Sequence, residues 1–173
     1  MALVVFLKGV NVGGHRTFRP STLATRLKRF DAISVGAAGT FIIRKAVGRV
    51  TLRAAVRRLL PFEAAIMICD GRDVLDLASR DPFVDHPARR DQVQFVSIRS
   101  GSRPPGCVLP LVVPPTGRWS VRALAHHGRF VVGVHRREMR TIGHLGQLQK
   151  LLGGPITTRS WTTILKLAQL LRA

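Results

Sequence analysis

Short apolar runs alternate with amphipathic stretches from Leu3 to Cys69, and this alternation constrains the fold more than any other feature of the chain. Leu3–Leu7 is a continuous apolar run of strand length, followed by the glycine-rich turn Gly9-Val10-Asn11-Val12-Gly13-Gly14. Pro20 suits the first turn of a helix, because its fixed φ and missing N–H cost nothing there, and Leu23, Leu27 and Phe30 recur on one face. Ile33–Val35 and Phe41–Ile43 flank Gly36-Ala37-Ala38-Gly39, the pattern of two strands joined tightly. Leu52, Ala55, Val56, Leu59 and Leu60 make one helical stripe, with Arg49, Arg53, Arg57 and Arg58 on the other faces. Pro61 ends that helix and Ala65–Cys69 reads as another buried strand. The order is βαββαβ, the split arrangement of a ferredoxin-like plait.

The second half is harder to divide. Asp70 and Asp73 have capping-box spacing before a short helix with Val74, Leu75 and Ala78 as its apolar positions. Arg80–Asp91 is a polar connector, which predicts two subdomains, 1–85 and 86–173, the second carrying the terminal helix. Val93–Ile98 reads as a strand. Arg99–Gly106 and Pro110–Gly117 are loops, with room for a brief strand between them. Trp119, Val121 and Ala123 alternate with polar residues, and His126–Arg129 turns the chain into Phe130–Val134 to complete a hairpin. Leu145, Leu148, Leu151 and Leu152 mark a helix ended by Gly153-Gly154-Pro155. Ser160 reads as the N-cap of a last helix with stripe Trp161, Ile164, Leu165, Ala168 and Leu171. The fold class expected is α+β, two plait-like halves without an exact internal repeat.

Charge narrows the function. Hydrophobic content of 46% excludes a disordered tail, and 28 Lys+Arg against nine Asp+Glu leave +19, far from an ordinary near-neutral enzyme surface. The surplus is spread along the chain, +7 over residues 1–86 and +12 over 87–173. Two readings stand: solubility by self-repulsion, or an electrostatic partner such as nucleic acid, a phosphorylated ligand or an anionic surface. Two cysteines, Cys69 and Cys107, make neither a disulfide framework nor a zinc-ribbon spacing. The apolar start is too short for a signal h-region, and no run approaches the roughly 20 apolar residues of a membrane span, so a cytoplasmic address without a membrane partner is expected.

Three segments taken together carry a family resemblance: Lys8–Gly14, Gly36–Phe41 and Thr157–Leu167. The chain resembles, essentially end to end, the bacterial family called domain of unknown function 1697. The resemblance implies two ferredoxin-like α+β subdomains in one chain and implies no established activity. Where many relatives carry a polar Gln-Ser-Gly-Asn at the first hairpin, this chain has Ala37, Ala38, Gly39 and Thr40, and Ser160 stands where relatives often have Asn.

Candidate sites follow from residue types. The turn after the first strand can offer backbone N–H groups to a phosphate, with Lys8, Gly9, Asn11, Gly13, Gly14 and Arg16 as its anion-binding residues. Gly9 and Gly14 have the outer spacing of a P-loop, but His15 and Arg16 stand where Lys and Ser/Thr belong, so the magnesium-binding hydroxyl is missing. Tight backbone geometry without a ligand is the competing reading. Thr158 and Arg159 form a second anion candidate at an expected helix start, weighed against a role in capping and local pairing. Basic clusters at Arg26, Arg29, Arg49, Arg53 and Arg57, and at Arg136, Arg137 and Arg140, suit phosphate contacts more than base reading. Base stacking on a sheet face would use Phe6 and Phe41, which read better as core residues. His126, His127, His135 and His144 show no metal-ligand spacing, and no nucleophile elbow occurs, so neither metal nor cofactor nor catalytic residue is assigned. The leading expectation is a non-catalytic binder of nucleic acid or another polyanion. The alternative is a phosphorylated or carboxylated small ligand, bound or turned over at Gly9–Arg16.

Overall fold

The computed structural model describes residues 1–11, 14 and 17–173. It is an α+β protein. In chain order its elements are β1 (Leu3–Leu7), α1 (Pro20–Arg26), a 3-10 turn (Lys28–Phe30), β2 (Ala32–Ser34), β3 (Thr40–Ile43), α2 (Arg49–Leu59), β4 (Ile66–Asp70) and α3 (Gly71–Arg80). There follow β5 (Gln92–Arg99), β6 (Leu111–Val113), β7 (Val121–His127), β8 (Phe130–Arg136), α4 (Thr141–Leu151), β9 (Ile156–Ser160) and α5 (Trp161–Arg172). The chain forms two compact units, one of residues Met1–Ser79 with Thr162–Ala173, the other Arg80–Trp161. The sequence places the terminal helix with the second half, but most of α5 counts with the first unit, where Leu171 lies against Gly71.

In the first unit the sheet order is β2-β3-β1-β4, with all neighbours antiparallel. Strand periodicity divides β1 between two faces. Leu3, Val5 and Leu7 join Phe41, Ile43, Ile66 and Ile68 in one core with Leu23 and Leu27 around α1 and Leu52, Ala55 and Val56 of α2. The two helices therefore share one sheet face, as their apolar stripes predict. On the other face Val4, Phe6, Ile42, Met67 and Cys69 are equally buried. A sheet with both faces covered is a core layer, so Phe6 and Phe41 offer nothing to a nucleic-acid base.

The second unit has the order β6-β7-β8-β5-β9, again antiparallel throughout. Its strands β7-β8-β5-β9 repeat the spatial order of β2-β3-β1-β4, with α4 between β8 and β9 as α2 lies between β3 and β4. The connection from β5 to β7, where the first unit has α1, is a Pro- and Gly-rich loop carrying the short β6. Phe95, Val121, Ala123, Val131 and Ile156 of the sheet pack with Leu148 and Leu152 at α4, while Phe83 meets Trp161 edge-on at 5.2 Å between ring centroids.

Two local readings are corrected. Thr157–Ser160 belongs to strand β9, paired with β5 from Phe95↔Ser160 to Ile98↔Thr157, and α5 starts at Trp161 directly after it. Its residues are too polar for an apolar-run signal, although Ile-Thr-Thr after Gly-Gly-Pro is β-branched and turn-bounded. In α5 the buried stripe is Trp161, Ile164, Leu167 and Ala168, with Leu165 44% exposed. Leu165 and Leu167 flank the same stripe, and packing chose the second.

Candidate functional site

The glycine turn is braced from inside the first unit. Leu7 N–H donates to Gly39 C=O at 2.8 Å and Lys8 N–H to Ala65 C=O at 3.0 Å, so the strand end is tied on both sides. Asn11 sits at φ 55°, a left-handed conformation that Asn tolerates better than most residues. Its Nδ2 donates to Phe18 C=O at 3.0 Å and to Ala37 C=O at 2.7 Å, and its Oδ1 accepts Phe18 N–H at 2.9 Å. Both amide donors are thus spent on protein carbonyls, tying Asn11 to Phe18 and to Ala37 of the β2–β3 hairpin. Of the anion cradle expected here, Asn11 serves as a brace, Gly9 and Gly14 are exposed left-handed residues, and Gly13 and Arg16 lie outside the described residues. The first two segments behind the family resemblance form one structure, since Val10 and Leu7 abut Gly39.

The cations of this unit divide sharply. Arg49 pairs with Asp70 at 2.5 Å, Arg53 donates to the Ile66 carbonyl, and Arg29 lies over the Phe30 ring at 4.5 Å. Arg49 and Arg53 thereby fasten α2 to β4, and all three are less available to phosphate than the sequence implied. Five further cations gather near the ends of α1 and α2. Arg19, Arg26 and Arg58 line a cavity of about 370 Å³ with Leu60 and Pro61. Lys8 and Arg57 line a neighbouring cavity of about 510 Å³ with Leu60, Phe62 and Glu63. Leu60 lines both, so the two adjoin, and together their linings carry five cations and one carboxylate. Arg26 Nη1 reaches the Leu59 carbonyl at 3.4 Å. Arg57 and Arg58 occupy the last turn of α2, where the helix dipole favours positive charge. Arg19 belongs to none of the basic clusters read from the sequence, and Arg58 only to the set lining α2. Their signal was positional, since a cation at a helix end is visible in sequence but its convergence with another helix end is not.

In the second unit Arg136 is engaged. Its Nε donates to Trp119 C=O at 3.0 Å, Nη1 to Asp91 at 2.9 Å, and its guanidinium lies 4.3 Å from the Trp119 ring centroid. Arg137 and Arg140 are exposed. Thr158 Oγ1 shares a hydrogen bond of 2.9 Å with Ser97 Oγ. Arg159 is buried, with Nη1 donating to Thr157 Oγ1 and Thr158 C=O at 2.8 Å each, and burial pushes its pKa down to about 10. Both lie in β9, just before the first residue of α5. Among the described residues no group of three His, Cys, Asp or Glu is placed to hold a metal, and no helix is long and apolar enough to cross a membrane.

His127, at the β7–β8 hairpin, has its pKa lowered by burial, with Arg80 and His126 adding repulsion. A histidine that resists protonation in the folded state binds fewer protons there than in the unfolded chain. Its stability contribution is therefore full above the unfolded pKa near 6.5 and is lost as pH falls below it. Melting temperature is expected to fall between neutrality and mild acid by a smaller step in His127→Gln than in the wild type. Identical steps in thermal scans at the two pH values would contradict this.

No family model matches the chain, and no curated protein matches it significantly. Among solved structures, the conserved bacterial protein SP0830 from Streptococcus pneumoniae is similar over 98% of each chain, with a TM-score of 0.63 and 14% identity. The likeness spans both units and is one of fold.

Proposed function

We propose that this protein is a non-catalytic binder of nucleic acid or a comparable polyanion, and that its contact surface is the helix-end groove of the first unit. The observation that carries the reading is the convergence of Lys8, Arg19, Arg26, Arg57 and Arg58 around Leu60 with Glu63 as the one carboxylate in the lining. Cations at that density bind phosphate backbones by releasing condensed counterions, a sequence-independent effect. The same reading makes the chain a cytoplasmic member of the domain-of-unknown-function-1697 family built from two ferredoxin-like plaits. The shared order of β2-β3-β1-β4 and β7-β8-β5-β9 supports this, the second plait having a loop and β6 in place of its first helix.

The test is affinity against salt. Anisotropy titrations of labelled duplex and single-stranded oligonucleotides should give log–log slopes no steeper than about −4.5 and −3.5, the limits for five contacts at about 0.9 and 0.7 each. The triple variant Arg26→Gln/Arg57→Gln/Arg58→Gln should flatten the duplex slope by about 2.7 and weaken binding tenfold or more at roughly 0.1 M salt. Its melting temperature should scarcely move, because exposed side chains away from the core contribute little to stability. Salt-insensitive binding, or none to either oligonucleotide, would overturn the reading.

A further inference from the structure

A second cavity, wholly within the second unit, gathers guanidinium groups that the polyanion groove does not use. It lies on the sheet face opposite α4. Arg122 of β7 is in register with Val134 of β8, Arg136 follows two residues on, and Gln92 of β5 is in register with Arg136, so all four side chains belong to one face. The connector before β5 closes the cavity over them, held by Gln94 Nε2 donating to His86 C=O at 2.7 Å. The resulting space of about 180 Å³ is lined by Arg89, Arg122 and Arg136, with Trp119, His86 and Asp85.

Two of the three arginines are fixed before any ligand arrives. Trp119 has Arg122 at 4.5 Å and Arg136 at 4.3 Å from its ring centroid, and the electron-rich ring holds the two cations that would otherwise repel. Arg136 is also anchored through Nε and Nη1 to Trp119 C=O and Asp91. The Arg122 guanidinium has no hydrogen-bond or ion-pair partner among the described residues, nor does that of Arg89, so both keep their donor forks. The carboxylates nearby are Asp85 in the wall and Asp91 behind Arg136, with Glu138 close enough to feel the Arg136 charge. Glu138 is itself occupied by the hydroxyl of Ser120. The held Arg122 fork, the Arg136 charge and the unpaired Arg89 fork in a small polar cavity match a tetrahedral oxyanion with several acceptor oxygens better than a two-oxygen carboxylate. A space of about 180 Å³ takes a phosphate and the first atoms bonded to it.

We propose that this cavity is a binding site for a small phosphate monoester, with Arg122 and Arg89 as the donors that reach the phosphate and Trp119 as the residue that positions Arg122 and Arg136. The site does not depend on the polyanion reading. The experiment is calorimetric titration of the full chain with inorganic phosphate and with phenyl phosphate in chloride buffer. Saturable one-to-one binding is expected, weakened roughly tenfold or more in Arg122→Gln, since a charge-assisted fork is lost, and only partly restored in Arg122→Lys. Arg26→Gln should leave phosphate affinity unchanged, and Arg122→Gln should leave duplex affinity unchanged. If Arg122→Gln does not fold, Arg89→Gln, at an exposed position, takes its place with an expected several-fold loss. No saturable binding at millimolar phosphate, undiminished binding in the folded variants, or parallel loss of phosphate and duplex affinity would each overturn the assignment.

Discussion

Gly133→Ala is expected to lower the melting temperature by about 6–12 °C, the equivalent of about 3 kcal/mol in a chain of this size. Gly133 lies in β8, between Ala123 of β7 and Phe95 of β5. A methyl group there would stand 2.4 Å from the Arg122 carbonyl oxygen and 2.5 and 2.8 Å from two carbons of the Phe95 ring. Phe95 is completely buried, and its ring also stacks on His135 at 5.7 Å, so it has little room to retreat. The carbonyl belongs to a sheet backbone and yields even less. Adding Phe95→Leu should recover part of the loss, because it relieves the ring contact and leaves the carbonyl contact in place. Thermal and urea unfolding of the two singles and the double would show this coupling, and a Gly133→Ala melting point within about a degree of wild type would refute the packing argument.

The second large effect is expected at Gly39, where conformation and space act together. Gly39 has φ 72°, and a Cβ would lie 2.6 Å from Val10 Cγ2 and 2.9 Å from Leu7 Cβ. Gly36, at the other end of the same hairpin, has φ 69° with nothing within 4 Å. Gly36→Ala therefore reports the conformational cost alone, about 1–2 kcal/mol. Gly39→Ala adds overpacking of about 1–3 kcal/mol, for a total of about 2–5. The difference between the two variants, read from denaturant midpoints with unchanged slopes, isolates the contact. Equal losses would mean that the turn, and not its fit against Val10 and Leu7, governs the position. Since Asn11 bonds the Ala37 carbonyl of this hairpin, a folded Gly39→Ala should also weaken the Asn11–Phe18 hydrogen bond, seen as faster amide exchange at Phe18.

Much of the first unit was legible because its local signals agreed. The stripe Leu52, Ala55, Val56 buries as drawn, Pro20 opens α1, and the apolar runs at Leu3 and Ile66 become buried strands. The second unit was less legible where polarity and burial part company. Arg159 is buried in a strand, Thr157 with it, and no periodicity announces a polar strand shielded by its neighbours. The asymmetry at residues 100–117 was visible as Pro and Gly density, but β6 lies inside a segment read as loop. For the candidate sites, residue type was visible and partnership was not. Arg49, Arg53 and Arg58 look alike on the helix. One pairs with Asp70, one donates to the Ile66 carbonyl, and one opens onto the groove.

Apolar periodicity by itself determined the helices and strands of the first unit, because burial against any partner demands the same spacing. Composition by itself determined the excess of positive charge. Only tertiary structure decided which guanidiniums remain available, since that depends on carboxylates, carbonyls and rings brought close by chain crossings of tens of residues, as Asp91 is to Arg136. Coulomb and hydrogen-bond energies act over a few ångströms, and distance along a folded chain says almost nothing about distance in space.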